Sequence, residues 1–214
     1  MLSTKERKTL ETYKNIAKSA IRTTEYNTNW VPDFWKLEFD KFKNLLPNGK
    51  VIDIGCGEGR DAKFFINNNY SYVGIDLSPE MLELARKLNP TADLFEMSMY
   101  NLNFTENIFD GFWAAASYLH IPKQRADEAL QELKKVVKIG GIGFFTMKEG
   151  KGEKMMTGPT DEERFFSLYS EKEFADVLIK NGFEIIEQAR IQRPYYFNQP
   201  KKRTPVLLTY FVRN

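Results

Sequence analysis

One cysteine, one histidine and no long apolar run are what this 214-residue chain has least of, and each shortage excludes something. With Cys56 alone, no internal disulfide can form and no cysteine-built metal or iron-sulfur site can be assembled. With His120 alone, a histidine-rich zinc site is excluded, and no metal ligands are assigned. Nowhere do apolar residues run to the roughly eighteen that a membrane helix needs. The opening MLSTKERKTLETYKNIAK has charges but no apolar h-region, so a cytoplasmic protein without a membrane partner is expected. Charge of one sign is also scarce: 31 Lys and Arg face 29 Asp and Glu, a formal charge of +2. Nucleic acid normally demands a clustered basic face, so it is not an expected partner. Neither a repeat nor a low-complexity linker interrupts the chain, and its length suits one domain with a modest extension.

What is present is an alternation of periods. Pro32 to Leu46 places Trp35, Phe39, Phe42 and Leu46 on one helical stripe. KVIDIG follows as a short apolar strand bounded by Asn48-Gly49 and Gly55. A helix is expected from Asp61, then a strand from Tyr72 to Asp76. Ser78-Pro79 supplies an N-cap with proline at N1, opening a helix through Met81, Leu82, Ala85 and Leu88. Further strands are expected at Leu94 to Ser98, Gly111 to Ala115, Ile142 to Met147, Phe183 to Ile191 and Pro205 to Val212. Helices are expected at Lys123 to Val137 and at Glu171 to Lys180, the latter with a Ser170 to Glu173 capping box and a stop at Asn181-Gly182. Strand and helix in turn mean an α/β fold, a Rossmann-like three-layer sandwich with a mainly parallel sheet covered on both faces. Only the segment PYYFNQPKKR separates the last two strands, so one of them is expected to run antiparallel; its Lys201-Lys202-Arg203 run reads as a solvated loop.

In such a sheet a ligand sits beyond the carboxyl ends of the strands. The loop VIDIGCGEGRD ends the first strand there, with Asp53, Gly55, Cys56, Gly57 and Gly59 in line. Glycine permits positive φ and lets a ligand approach the main chain, while the helix that follows offers free N–H groups. Asp76 ends the second strand, where a carboxylate can accept both hydrogen bonds of a ribose diol. An adenosine-containing cofactor is the simplest occupant. A dinucleotide fingerprint would carry a third glycine where Arg60 stands, which argues against a nicotinamide-dependent oxidoreductase but leaves it as an alternative.

Asp53-x-Gly55-x-Gly57-x-Gly59 resembles the first motif of the class I S-adenosylmethionine-dependent methyltransferases, and the resemblance continues in order along nearly the whole chain. YVGIDLSPEML is similar to the second motif, which implies Asp76 on the ribose hydroxyls and Leu77 against the adenine. FDGFWAAASYLHIP resembles the fourth, implying main-chain contact with the methionine part of the cofactor near Ala114 and Ala115. VVKIGGIGFFTMKEG matches the glycine pair before the fifth strand, and RFFSLYSEKEFADVLIKNGFEIIE is similar to the closing segment of small bacterial members whose acceptor is unassigned. Aligned on Leu102-Asn103-Phe104, Ser98 stands where the family usually has the acidic residue that holds the adenine amino group. Tyr13 is implied as a wall over the cofactor, with Met81 and Met99 beside the adenine; for the methionines, core packing is the competing reading. The family implies a seven-stranded sheet of order 3-2-1-4-5-7-6. Residues 1–46 form a helical cap and residues 47–214 the cofactor domain, one compact unit with it.

The chemistry asks little of side chains. The methyl group of S-adenosylmethionine is already activated on a sulfonium, so the protein has to align a nucleophile with the C–S bond and exclude water. The (D/N)PPY turn for exocyclic amines of bases is missing, as are a Pro-Cys nucleophile and a cysteine triplet for radical chemistry. What remains is O-, N- or S-methylation of a small-molecule acceptor; a non-catalytic S-adenosylmethionine-binding protein is the other alternative. His120 follows the fourth strand closely enough to stand near the reacting methyl as a base titrating near neutral pH, against the simpler role of packing the next helix. The acceptor is expected under a roof made by the helix around Tyr13 to Ile21 and a loop Lys148 to Tyr169, whose Arg164 and Tyr169 suit an anionic or planar group. The Cys56 thiol reads as buried and inert, and Arg60 and Asp61 as a solvated helix start. Asp53 has two readings, bracing the glycine loop or touching the cofactor.

Overall fold

A computed structural model describes residues 1–23, 34–157, 163–194 and 204–214. The expected helix start at Pro32, the run Lys201-Lys202-Arg203 and most of PYYFNQPKKR lie outside them. The elements are, in order, helices α1 (Thr4–Thr23) and α2 (Lys36–Leu45), strand β1 (Lys50–Ile54), α3 (Ala62–Asn67), β2 (Ser71–Asp76), α4 (Pro79–Leu88), β3 (Asp93–Glu96) and β4 (Phe109–Ala114). Two single 3-10 turns follow, Tyr118–His120 and Lys123–Arg125, then α5 (Ala126–Val136), β5 (Val137–Glu149), β6 (Gly152–Thr157), β7 (Glu163–Tyr169), α6 (Glu171–Lys180), β8 (Glu184–Ile191) and β9 (Leu207–Arg213).

Strands β3, β2, β1, β4 and β5 run parallel in that order; β9 lies antiparallel on the far edge of β5 and β8 antiparallel on β9. Counting β8 and β9 as sixth and seventh, these seven strands have the expected order 3-2-1-4-5-7-6 with β9 antiparallel, and β7 and β6 extend the sheet to nine strands. The period of two explains why the sheet is covered on both sides. Ile52, Ile54, Phe112 and Phe145 join Leu130 and Leu133 of α5 and Phe174 and Leu178 of α6. Their neighbours Val51, Trp113 and Phe144 turn the other way and join Phe39 and Phe42 of α2 and Phe65 of α3. On this second face Trp113 stacks on Phe144 at 4.0 Å and on Phe39 at 4.5 Å. Each such side chain contributes about 1.5–3 kcal/mol by leaving water.

Local signals were obeyed where they were strong. Ser78 caps α4 by accepting from the Met81 N–H, with Pro79 at N1; Ser170 and Glu173 form the capping box of α6. Three segments differ from expectation. α1 begins at Thr4, far upstream of Tyr13, because its docked face is polar rather than apolar: Glu6, Thr9 and Thr12 are buried. β5 begins at Val137, pairs Val137 with Phe109, then skips to pair Ile142 with Gly111, so the glycine pair lies in a bulge inside the strand. Lys148 to Tyr169 is not a loop. Its described residues form the end of β5 and a β6–β7 hairpin. The run ERFFSLY, buried on both faces from Phe165 to Tyr169, builds β7 despite the surrounding charges and glycines. Lys148 and Glu149 pair with Leu168 and Tyr169, and Lys148 also pairs with Leu207 of β9. Having only two edges, β5 must therefore hold β7 on its β4 side, beyond the last residue of β4.

Candidate functional site

The glycine loop after β1 is tied across the end of β2: Gly55 and Cys56 N–H both donate to the Ile75 carbonyl at 2.9 Å. Asp76 is bracketed by main chain, its Oδ2 accepting from Gly57 N–H at 3.0 Å and its Oδ1 from Ser78 N–H at 2.8 Å. Loss of water pushes the Asp76 carboxyl up to about 6, against the opposing pull of the Ser78 and Gly57 bonds. Each carboxylate oxygen retains a lone pair for a ligand. Gly55 and Gly57 both have positive φ, +72° and +55°, but for different reasons. A Cβ on Gly55 would fall 2.6 Å from Ser117 Cβ, whereas one on Gly57 would meet nothing within 4 Å. The loop is thus packed against the turn after β4 and open above Gly57. Gly59 is held from below by Asn89, which donates to its carbonyl at 2.8 Å.

That turn supplies the opposite wall. Ala114 is fully buried at the end of β4 and Ala115 half-buried beyond it. Ala116 has φ +57°, and its N–H donates to Thr146 Oγ1 on β5 at 2.8 Å. Ser117 is buried, and its Oγ has no hydrogen-bond partner among the described residues, an orphaned polar atom directly beside Gly55. On the β2–β3 side, Met97 N–H donates to the Asp76 carbonyl and Ser98 Oγ accepts from Tyr100 N–H at 3.2 Å; Leu77, Ser98 and Met99 are half-buried. Met81, only 1% exposed in α4, is core.

Asp53 does not brace the loop. It accepts from the Tyr72 hydroxyl at 2.8 Å, and burial, then the charge of Asp61, holds its carboxyl well above the usual range. Asp61 is not a solvated helix start either: its Oδ2 accepts from Trp113 Nε1 at 3.0 Å while Arg60 pairs with Oδ1. Cys56 is half-buried, and burial followed by the charge of Asp53 pushes its thiol well up, so it is no thiolate nucleophile.

The helix expected as a roof, α1, packs on α4 and on β7. Thr9 Oγ1 accepts from Phe165 N–H at 2.8 Å, Thr12 Oγ1 donates to the Glu163 carbonyl at 2.7 Å, and Lys18 approaches Glu80 of α4 at 3.5 Å. Near its start, Glu6 is gripped by the Tyr100 hydroxyl at 2.6 Å and by Arg125. Tyr13 meets His120, its hydroxyl 2.9 Å from Nε2, and Arg164 Nη1 donates to the same hydroxyl at 3.2 Å. His120 Nδ1 lies 2.6 Å from the Phe165 carbonyl, which can only accept. The proton therefore sits on Nδ1, Nε2 accepts, and the Tyr13 hydroxyl donates. Desolvation chiefly, with Arg164 and Lys148 adding to it against the Phe165 bond, pushes His120 down to about 3. It is neutral at physiological pH, which corrects the expectation of a base titrating near 7. Tyr169 does not join this group: 2% exposed, it packs on Phe174 beneath Lys123. Sequence reasoning missed Ser117, Thr146 and Lys148; for the last two, their alternation along β5 was the available signal.

A family model described as a methyltransferase domain matches residues 51–141. An uncharacterised protein of Methanocaldococcus jannaschii is 30% identical over 161 residues, covering 72% of this chain and 73% of its own. Among solved structures, a Methanosarcina mazei protein described as a SAM-dependent methyltransferase superposes with TM-score 0.71 at 18% identity, covering 81% of this chain and 96% of its own. The 1,6-didemethyltoxoflavin-N1-methyltransferase of Burkholderia thailandensis, solved with 1,6-didemethyltoxoflavin and S-adenosylhomocysteine, superposes with TM-score 0.70 at 18% identity over 100% of this chain and 92% of its own. At those identities the two structures speak to fold.

Proposed function

Because the chain belongs to the S-adenosylmethionine-dependent methyltransferases, we propose that it moves the cofactor's methyl group to an O, N or S atom of a small-molecule acceptor. The observation that carries the reading is the cradle: a carboxylate fixed by two main-chain N–H groups, with open space directly above Gly57. The residues fit the cofactor. Asp76 accepts from the ribose diol, Leu77, Ser98 and Met99 lie along the adenine, and the main chain of Gly55, Cys56, Gly57, Ala114 and Ala115 meets the methionine part. Ser117 Oγ, without a partner among the described residues, gives that polar end its side-chain hydrogen bond. Residues 1–46 act as a helical cap on 47–214, with α1 as the roof and α2 lending Phe39 and Phe42 to the core.

The cofactor supplies an activated methyl; the chain supplies alignment and a dry roof. Positioning of this kind is worth roughly 7–11 kcal/mol, which leaves little for a base to add when the nucleophile is reactive. His120 acts by holding Tyr13: its neutral Nε2 takes the phenol hydrogen bond and fixes the ring over the cleft. Tritium from methyl-labelled S-adenosylmethionine, incubated with the protein and a pool of small metabolites, should enter a low-mass product with equal release of S-adenosylhomocysteine. Tight cofactor binding without any such product in an exhaustive pool would favour the non-catalytic alternative.

The raised Asp76 carboxyl makes cofactor affinity depend on pH. Only the ionised form accepts from both ribose hydroxyls, so a proton competes with the cofactor. Affinity for S-adenosylhomocysteine should be flat above pH 7 and weaken below about pH 6, by up to about tenfold per pH unit, the limit for one proton. Asp76→Asn should bind weakly at every pH; a wild-type affinity that does not change between pH 7 and 5 would contradict the assignment.

A further inference from the structure

Between the end of β4 and the start of its pairing with β7, one edge of β5 carries no strand among the described residues. The β4 ladder ends where Ala114 pairs with Phe145, and β7 joins at Lys148, which pairs with Leu168. Thr146 stands in that gap, fully buried, on the rung that Ala115 would face if β4 ran one residue further. The chain leaves the sheet there instead. Ala116 takes φ +57°, a left-handed conformation that its Cβ makes unfavourable, and its N–H donates to Thr146 Oγ1 at 2.8 Å. A side-chain oxygen thus takes an amide that the finished ladder no longer takes, and this bond holds a non-glycine residue where it would not otherwise stay.

That conformation sets the direction of Ser117. Its Cβ lies against the glycine loop, 2.6 Å from where a Cβ on Gly55 would fall, and its carbonyl accepts from His120 N–H at 3.0 Å. Thr146 itself has no exposed surface, so it reaches a ligand only through the turn. Resting on the reading that this turn receives the methionine part of S-adenosylmethionine, we propose that Thr146 is a positioning residue, whose hydroxyl presets the Ala116–Ser117 turn and through it the affinity for the amino-acid end of the cofactor. The nucleoside end, on the Asp76 side of the cleft, is independent of it, because Asp76 is fixed by the N–H groups of Gly57 and Ser78. Valine at this position has the same branched shape but accepts no hydrogen bond, whereas serine keeps the oxygen.

The test titrates the full chain with S-adenosylhomocysteine and with 5′-methylthioadenosine, which has the nucleoside and the thioether but no amino-acid end. Thr146→Val should weaken S-adenosylhomocysteine binding about tenfold or more and leave methylthioadenosine within about twofold of wild type. Thr146→Ser should bring S-adenosylhomocysteine back to within about threefold of wild type. The role is overturned if Thr146→Val binds S-adenosylhomocysteine as wild type does, if it weakens both ligands equally, as general damage to the fold would, or if Thr146→Ser binds no better than Thr146→Val. A measurement on wild type alone decides the matter if the valine variant does not fold. The Ala116 amide should be protected from hydrogen exchange before any cofactor is added, and free exchange there in the cofactor-free protein would overturn a preset turn. Wild type that binds neither ligand would overturn the cofactor site and this role with it, whereas wild-type binding beside an indifferent Thr146→Val overturns this role alone.

Discussion

Gly57→Val should abolish measurable cofactor binding in a protein that still folds. The residue has φ +55°, where a β-branched side chain is strained by about 1–3 kcal/mol, a fraction of the roughly 5–15 kcal/mol that holds a domain together. No described residue lies within 4 Å of the new Cβ, so no core contact is disturbed. The isopropyl group instead fills the space above the loop, and the strain tilts the N–H that holds Asp76 Oδ2. A loss of at least about a hundredfold in affinity for S-adenosylhomocysteine, near 2.7 kcal/mol, is expected, with Gly57→Ala intermediate. Calorimetry beside a thermal melt separates the two effects. Wild-type affinity in a folded Gly57→Val protein would remove the space above Gly57 from the cofactor site.

Deleting residues 1–23 should leave a cooperative fold with little methyl transfer. The sheet and its two apolar faces draw on α2 through α6, whereas α1 contributes polar contacts to β7, Tyr100, Arg125 and α4. Its loss opens the carboxyl ends of the strands to water, frees Nε2 of His120 and removes the Tyr13 anchor of Arg164. A closed roof both excludes water and orders the acceptor, so turnover should fall at least about a hundredfold and cofactor affinity about tenfold, converting roughly 2.7 and 1.4 kcal/mol. Hydrogen exchange on the full chain gives the complementary result: α1 and β7 amides should gain protection when S-adenosylhomocysteine binds. Unchanged turnover after the deletion would show that α1 is not the roof.

Much of this was legible in the residues because the decisive signals are local. A five-residue apolar strand followed by Gly55, Gly57 and Gly59 placed the loop, Ser78-Pro79 placed α4, and Ser170 with Glu173 placed α6 within a residue of their structural positions. The illegible parts depend on partners distant in sequence. Glu6, Thr9 and Thr12 look like the solvated side of a helix, and they are buried only because β7, Tyr100 and Arg125 meet them there. Glycines and charges disguised the β6–β7 hairpin as a loop, and its strand character comes from a free edge on β5 beyond β4. Asp61 resembled a dipole-stabilising first-turn acid until Trp113, fifty-two positions away, supplied its partner. His120 was correctly placed past β4, but its protonation is set by the Phe165 carbonyl and Tyr13, which no spacing reveals.

The central claim, that Asp76 and the glycine loop form an S-adenosylmethionine cradle, is tested most directly by calorimetric titration of wild type and Asp76→Ala with S-adenosylhomocysteine and with NAD. Wild type should bind S-adenosylhomocysteine at one site and give no heat with NAD, and Asp76→Ala should lose about 1–3 kcal/mol, the cost of a charge-assisted hydrogen bond. Equal affinity in the two proteins, or a preference for NAD, would contradict the account.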